Sequence, residues 1–205
     1  MKLTNHIVQF VSLTALALCL STAALAQQQS VDMFAGVGTA VDSNRIIKEF
    51  NGTTTTTPGV AGLFGKVGAD VMLTPHVGVG IEADVRFNEA QYAGLKVRPM
   101  FSDANLIYLP TTKHWIVPEF EGGLGVSKLQ FYAPTTYCSN LSGCSAVASS
   151  NHIQAHMSLG FRLYATKHLF LRPQVDVRYV NNFFQYGSDW VPEYGAALGW
   201  SFNNR

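Results

Sequence analysis

Between residues 77 and 88 the chain alternates two chemistries one residue at a time. Val77, Val79, Ile81, Ala83, Val85 and Phe87 interleave with Gly78, Gly80, Glu82, Asp84, Arg86 and Asn88. A period of two places each set on its own side of a β-strand, so one side is apolar and the other carries charge of both signs. A soluble sheet would turn the charged side to water and the apolar side to a core. A membrane barrel does the reverse, with lipid on the apolar side and the lumen on the charged side.

The same period recurs along the chain and predicts eight strands, over residues 31–40, 62–74, 77–88, 94–109, 115–132, 152–165, 169–181 and 189–202. Tilted strands of about ten residues cross a bilayer. The connections alternate in length: 75–76, 110–114 and 166–168 are short, whereas 41–61 and 133–151 are long and rich in Thr, Ser, Gly and Asn, with 88–93 and 182–188 as shorter loops at the same end. Short turns at one end and longer loops at the other match an outer-membrane barrel whose loops face outward. Pro99, Pro118, Pro173 and Pro192 fall inside strand segments, where bulges are expected to absorb them. No repeat of 20 to 50 residues is visible, which argues against propellers and solenoids.

The first 26 residues read differently. Lys2, an apolar stretch over residues 7–20 and Ala24-Leu25-Ala26 form the pattern of a cleaved secretory signal, leaving residues 27–205 as one barrel domain. Cys19 follows Leu18, where a lipoprotein signal needs a small residue, so lipidation is not expected. The remainder has as many basic as acidic side chains, which gives no electrostatic case for a nucleic-acid partner. Its cysteines, Cys138 and Cys144, sit close together in a polar segment; in an exported chain such a pair is expected to form a disulfide, and no Cys/His set at ligand spacing accompanies it.

With these features the chain resembles the small outer-membrane β-barrel proteins of Gram-negative bacteria, the group that contains the transmembrane domain of outer membrane protein A and outer membrane protein X. The most specific part of the resemblance is Glu193-Tyr194-Gly195-Ala196-Ala197-Leu198-Gly199-Trp200, which fits that group's assembly signal of polar, any, Gly, any, any, hydrophobic, any, aromatic. The group commonly ends on the aromatic residue, whereas this chain continues through Ser201 and Phe202 to Arg205. The resemblance implies an eight-stranded antiparallel up-and-down barrel in the outer membrane, in contact with lipid and recognised by the barrel-assembly machinery through its last strand. It also implies a barrel alone, with no peptidoglycan-binding domain.

In the expected register the lumen receives Lys66, Asp70, Glu82, Asp84, Arg86, Lys96, Arg98, Glu119, Glu121, Arg162, Arg172, Asp176, Arg178 and Glu193, with the two signs in equal number. Eight strands leave room only for side chains, so this set is expected to neutralise itself as a salt-bridged filling. A pathway for protons, ions or small solutes is the functional alternative. Asp32 and Asp103 interrupt the alternation of the first and fourth strands. Val97 and Phe101 are assigned to the lipid face, and Tyr108, Trp115, Tyr132, Tyr179, Trp190 and Trp200 to interfacial girdles.

Candidate chemistry is sparse. His156-Met157-Ser158 reproduces the His-x-Ser spacing of outer-membrane lipid A deacylases, with Glu193 or Glu119 available to orient the base, but a His and a Ser two apart on a polar face also serve as lumen filling. His76, His114 and His168 fall in the short turns, where histidine is freely accepted. No cofactor is implied. The expected role is structural or surface-interacting, with minor solute permeability and an extracellular partner at the long loops as its extensions. The competing reading, a soluble lipocalin-like barrel around an apolar ligand, needs the two faces exchanged.

Overall fold

The computed structural model describes residues 30–41, 46–48, 54–56, 62–92, 95–112, 114–139, 143–183 and 188–202. The secretory signal expected over residues 1–26 lies outside them. Among the described residues eleven strands follow in order: β1 (Ser30–Ala40), β2 (Ile46–Lys48), β3 (Thr54–Thr56), β4 (Gly62–Met72), β5 (Val77–Arg86), β6 (Ala90–Tyr92), β7 (Leu95–Tyr108), β8 (Ile116–Ser139), β9 (Gly143–Tyr164), β10 (Leu169–Val180) and β11 (Trp190–Ser201). Eight of them, β1, β4, β5, β7, β8, β9, β10 and β11, pair antiparallel with their neighbours in sequence, and β1 pairs with β11 to close the barrel. β2 and β3 form a small hairpin between β1 and β4, and β6 lies along the loop end of β7.

The period-two pattern has the physical consequence expected of it. Met33, Val67, Ile81, Leu124, Ile153, Met157 and Leu198 stand exposed on the outer wall, whereas Lys66, Asp84, Glu119, Arg162, Arg178 and Glu193 are buried inside. A soluble lipocalin-like barrel is therefore excluded by the orientation of the two faces. Trp190 and Trp200 lie outward at opposite ends of β11. Ten residues at about 3.3 Å, tilted by roughly 40°, span about 25 Å along the axis, the height of an apolar belt.

Three expectations change. The alternation of β7 is inverted: Val97, Pro99, Phe101, Asp103, Asn105 and Ile107 point inward, and Lys96 stands outward. A shift of one residue exchanges the faces of a strand, and Lys96 and Arg98 lie near the loop end, where outward charge meets solvent at no cost. Strand pairing passes Pro99, Pro118 and Pro192 without a change of register, so bulges are not what accommodates them.

The segment 133–151, expected as a loop, is mostly strand. β7 stops pairing with β8 at Lys96↔Tyr132 and β10 stops pairing with β9 at Val180↔Gln154, but β8 and β9 continue together to Ser139↔Gly143, with a register shift between Tyr132 and Tyr137. At about 3.3 Å per residue, this two-stranded ribbon rises roughly 20 Å past the rim. Its backbone sets Cys138 opposite Cys144; their side chains lie outside the described residues.

Candidate functional site

The barrel interior concentrates the chemistry of this chain, and each strand contributes to it through every second residue. Toward the turn end, Arg162 on β9 gathers three strands: it donates to Asp32 on β1, to Asp70 on β4 (2.7 Å) and to Glu119 on β8 (3.1 Å from Nη2). Arg172 on β10 binds Glu121, approaches Glu119 at 3.0 Å and faces Asp70 at 3.5 Å. Toward the loop end the Lys66 ammonium lies 3.0 Å from Glu82, 3.1 Å from Asp84, 3.0 Å from Asp176 and 3.0 Å from Glu193. Arg178 donates to Asp84, to Glu193 (2.6 Å), to Asp103 (3.2 Å) and to Glu82 (3.3 Å).

Neutral polar groups join the two layers. Asn105 Nδ2 donates to Glu121 (3.2 Å), and its Oδ1 faces His156 Nδ1 at 3.0 Å. His156 Nε2 lies 3.4 Å from Asp176 Oδ1. Gln154 donates to Asp103 (2.6 Å), and Gln174 to both oxygens of Asp176 (2.9 and 3.0 Å) and to Glu82 (3.3 Å).

The guanidinium groups also rest on rings, Arg172 over Phe34 (4.2 Å), Arg178 over Phe101 (4.9 Å) and Arg162 over Phe170 (5.3 Å). Two glycines make room for this arrangement. A Cβ on Gly68 would strike the Phe34 ring, and one on Gly199 the Phe170 ring.

An apolar cluster lies at each end of this polar region. Phe64, Phe101, Val97, Leu129, Val180, Phe183 and Val191 pack into an apolar plug at the loop end. Met72, Ile107, Leu109 and Val117, with Tyr164 against them, form a second plug at the turn end. A filled interior is what eight strands can enclose.

The placement of the expected lumen set differs in composition from its sequence reading. Lys66, Asp70, Glu82, Asp84, Glu119, Glu121, Arg162, Arg172, Asp176, Arg178 and Glu193 are brought together inside. Lys96 and Arg98 are not: they pair with Glu89 at 3.1 and 3.8 Å, and the Lys96 side chain is 65 % exposed. Arg86 is only half-buried, beside Gly62 at the loop end. Asp32 and Asp103 take their places inside.

The balance of signs is lost as a result. Among the described residues, nine carboxyl side chains, those of Asp32, Asp70, Glu82, Asp84, Asp103, Glu119, Glu121, Asp176 and Glu193, are buried against four fully buried permanent cations, Lys66, Arg162, Arg172 and Arg178, with Arg86 half-buried at the loop end. Among the same residues two groups of donors lie close enough to hold a metal ion, Glu82 with His156 and Asp176, and Asp70 with Glu119 and Glu121, each set within 4.8 Å. Arg162 and Arg172 already span the second of these.

The His-x-Ser pair does not form a catalytic couple. His156 turns one ring nitrogen to Asn105 and the other to Asp176, and Ser158 is walled off from lipid inside the barrel. The turn histidines take a structural position instead: His76 Nδ1 donates to the Leu109 carbonyl (2.7 Å) and His168 Nδ1 to that of Ser201 (2.9 Å). In both turns a threonine two residues earlier, Thr74 or Thr166, accepts from the histidine N–H and from the next one along. Asp84-Val85-Arg86 and Asp176-Val177-Arg178 follow those histidines at equal spacing, a correspondence between β5 and β10 that the sequence reading missed.

No protein-family model matches the chain, and a sequence search of curated proteins finds no significant match. Solved structures do resemble it. The outer membrane protein OprG from Pseudomonas aeruginosa aligns with a TM-score of 0.55 at 14 % identity, over 86 % of this chain and 97 % of its own. The N-terminal β-barrel domain of Pseudomonas aeruginosa OprF gives 0.53 at 15 % identity, over 86 % and 100 %. Ail, the attachment invasion locus protein of Yersinia pestis, in complex with the heparin analogue sucrose octasulfate, gives 0.51 at 11 % identity, over 84 % and 98 %. The chain has the fold of the small outer-membrane β-barrels, an eight-stranded antiparallel barrel.

Proposed function

We propose that this chain is a bacterial outer-membrane barrel that passes no solute and acts at the cell surface through its loops and the β8–β9 ribbon. The observation that carries this reading is the filling of the lumen: an ionic core lies between two apolar plugs. The outward apolar belt supports residence in a bilayer, since an exposed apolar surface of this extent is unfavourable in water. Minor permeability, the pathway reading of the charged lumen, would require both plugs to open.

The ribbon supports a surface role. It rises beyond the rim without ladder pairing to β7 or β10, and residues 147–151 of β9 carry no charge and no proline, the usual guards of a free strand edge. Conductance of the refolded protein in planar bilayers tests the closed barrel. No steady current above that of protein-free bilayers is expected; stable, reproducible conductance steps overturn the reading.

A further inference from the structure

We propose that the loop-end ionic layer of the barrel is a binding site for one divalent transition-metal cation, held by Glu82, Asp176, His156 and the amide oxygen of Gln174. The inference is independent of the surface role proposed above. It begins from charge: nine buried carboxyls face four fully buried permanent cations and the half-buried Arg86, and uncompensated buried charge costs several kcal/mol per ion. The balance is made up by protons on some of the carboxyls or by a cation from outside the chain.

The atoms indicate where it stands. Lys66 takes one oxygen from each of two carboxylates, Glu82 Oε1 and Asp176 Oδ2, at 3.0 Å. The oxygens left over, Glu82 Oε2 and Asp176 Oδ1, converge on Gln174 and His156. The tautomer of His156 then becomes informative. Asn105 donates its amide nitrogen to Glu121, which fixes its Oδ1 toward His156 and makes Nδ1 the protonated ring nitrogen. In the neutral ring Nε2 then carries a lone pair aimed at Asp176 Oδ1, 3.4 Å away. Either a proton on Nε2, which makes the ring an imidazolium, or a metal cation between the two atoms holds such a position. A ring that donates from one nitrogen and ligates with the other is the usual form of a metal-binding histidine.

Gln174 adds a second, separate indication. It is buried, its nitrogen contacts both carboxylates, and its Oε1 has no hydrogen-bond partner. A half-turn of the amide brings that oxygen against Glu82 Oε2 and Asp176 Oδ1, an arrangement that is repulsive when empty and favourable around a cation. Donors around one Zn²⁺ or similar ion at about 2.1 Å stand roughly 3–3.5 Å apart, the separation already present between His156 and Asp176. An imidazole with oxygen donors suits zinc, iron or manganese better than calcium or magnesium. Because plugs close both ends, the ion enters while the barrel folds and exchanges slowly afterwards.

The test refolds the full mature chain into detergent from chelator-treated urea, with Zn²⁺ alone, with Mn²⁺ alone or with chelator. The folded fraction, recognised by its heat-modifiable gel band, is desalted and its metal measured by elemental mass spectrometry. One ion per folded chain is expected after refolding with Zn²⁺ or Mn²⁺, resistant to chelator added later. His156→Gln and Gln174→Met are expected to lose most of it while still folding, and Asp32→Asn, which removes a negative charge from the other layer, to keep it. If His156→Gln does not fold, the comparison rests on Gln174→Met. Folded parent protein without metal, which assigns the surplus charge to protons, overturns the proposal. So does retention by both site variants, or a loss in Asp32→Asn equal to theirs.

Discussion

Arg178→Met removes one of the four buried cations and leaves its carboxylates to fewer partners. In the folded chain the guanidinium serves Asp84, Glu193 (2.6 Å), Asp103 (3.2 Å) and Glu82 (3.3 Å). Lys66 continues to hold Glu82, Asp84 and Glu193, so the damage falls mainly on Asp103, which keeps the Gln154 amide at 2.6 Å. Breaking a buried pair from one side costs about 3–5 kcal/mol, and loss of the cation over the Phe101 ring adds about 0.5–1 kcal/mol. A loss of about 4–6 kcal/mol is therefore expected, comparable with the whole stability of many domains. Urea titration of the protein in lipid vesicles measures it, with the fluorescence of Trp115, Trp190 and Trp200 as one probe and the heat-modifiable band as another. Adding Asp103→Asn to Arg178→Met is expected to restore about 1–3 kcal/mol, as coupled neighbours do. A loss below about 1 kcal/mol, the range of exposed pairs, would falsify the account of the lumen as an energetically tied network.

The inverted alternation of β7 can be checked by comparing two lysines that the sequence treated alike: Lys66→Ala is expected to cost more than about 3 kcal/mol and Lys96→Ala less than about 1 kcal/mol, and equal costs in urea titration would contradict the assigned faces. For the ribbon, directly opposite residues of an antiparallel pair have Cα atoms about 4.5–5.5 Å apart, within the range a disulfide spans. Cys138 and Cys144 are accordingly expected to resist iodoacetamide in protein purified without reductant and to take two labels after reduction, read by intact mass. Two labels before reduction would rule the bridge out.

Much of the barrel was legible because lipid and lumen impose opposite demands on alternate residues, and seven of the eight predicted strands show those demands clearly. β7 misled because Lys96 and Arg98 were read as lumen charges, although they sit near the loop end and pair with Glu89. Asp103 and Asn105, farther along the strand, held the truer signal. The ribbon was hidden for a related reason: past the rim there is no lipid face, so Thr, Ser and Ala in residues 133–151 carry no alternation to detect. The site around Glu82, Gln174, Asp176 and His156 was beyond reach of any local pattern. Its donors come from three strands, with Glu82 and Gln174 92 residues apart, and only closure of the barrel brings them together.

The ionic core also bears on how the barrel forms. Arg162 on β9 reaches Asp32 on β1, and Lys66 on β4 reaches Asp176 on β10 and Glu193 on β11, so these links run between strands that share no hydrogen-bonded edge. An open sheet of four or five strands in lipid would present bare carboxylates and a free edge at membrane depth, a state the bilayer does not tolerate. Partners for those charges arrive only when the far wall does. Insertion and closure are thereby coupled into a single cooperative event, and the seam between β1 and β11 is where that event completes.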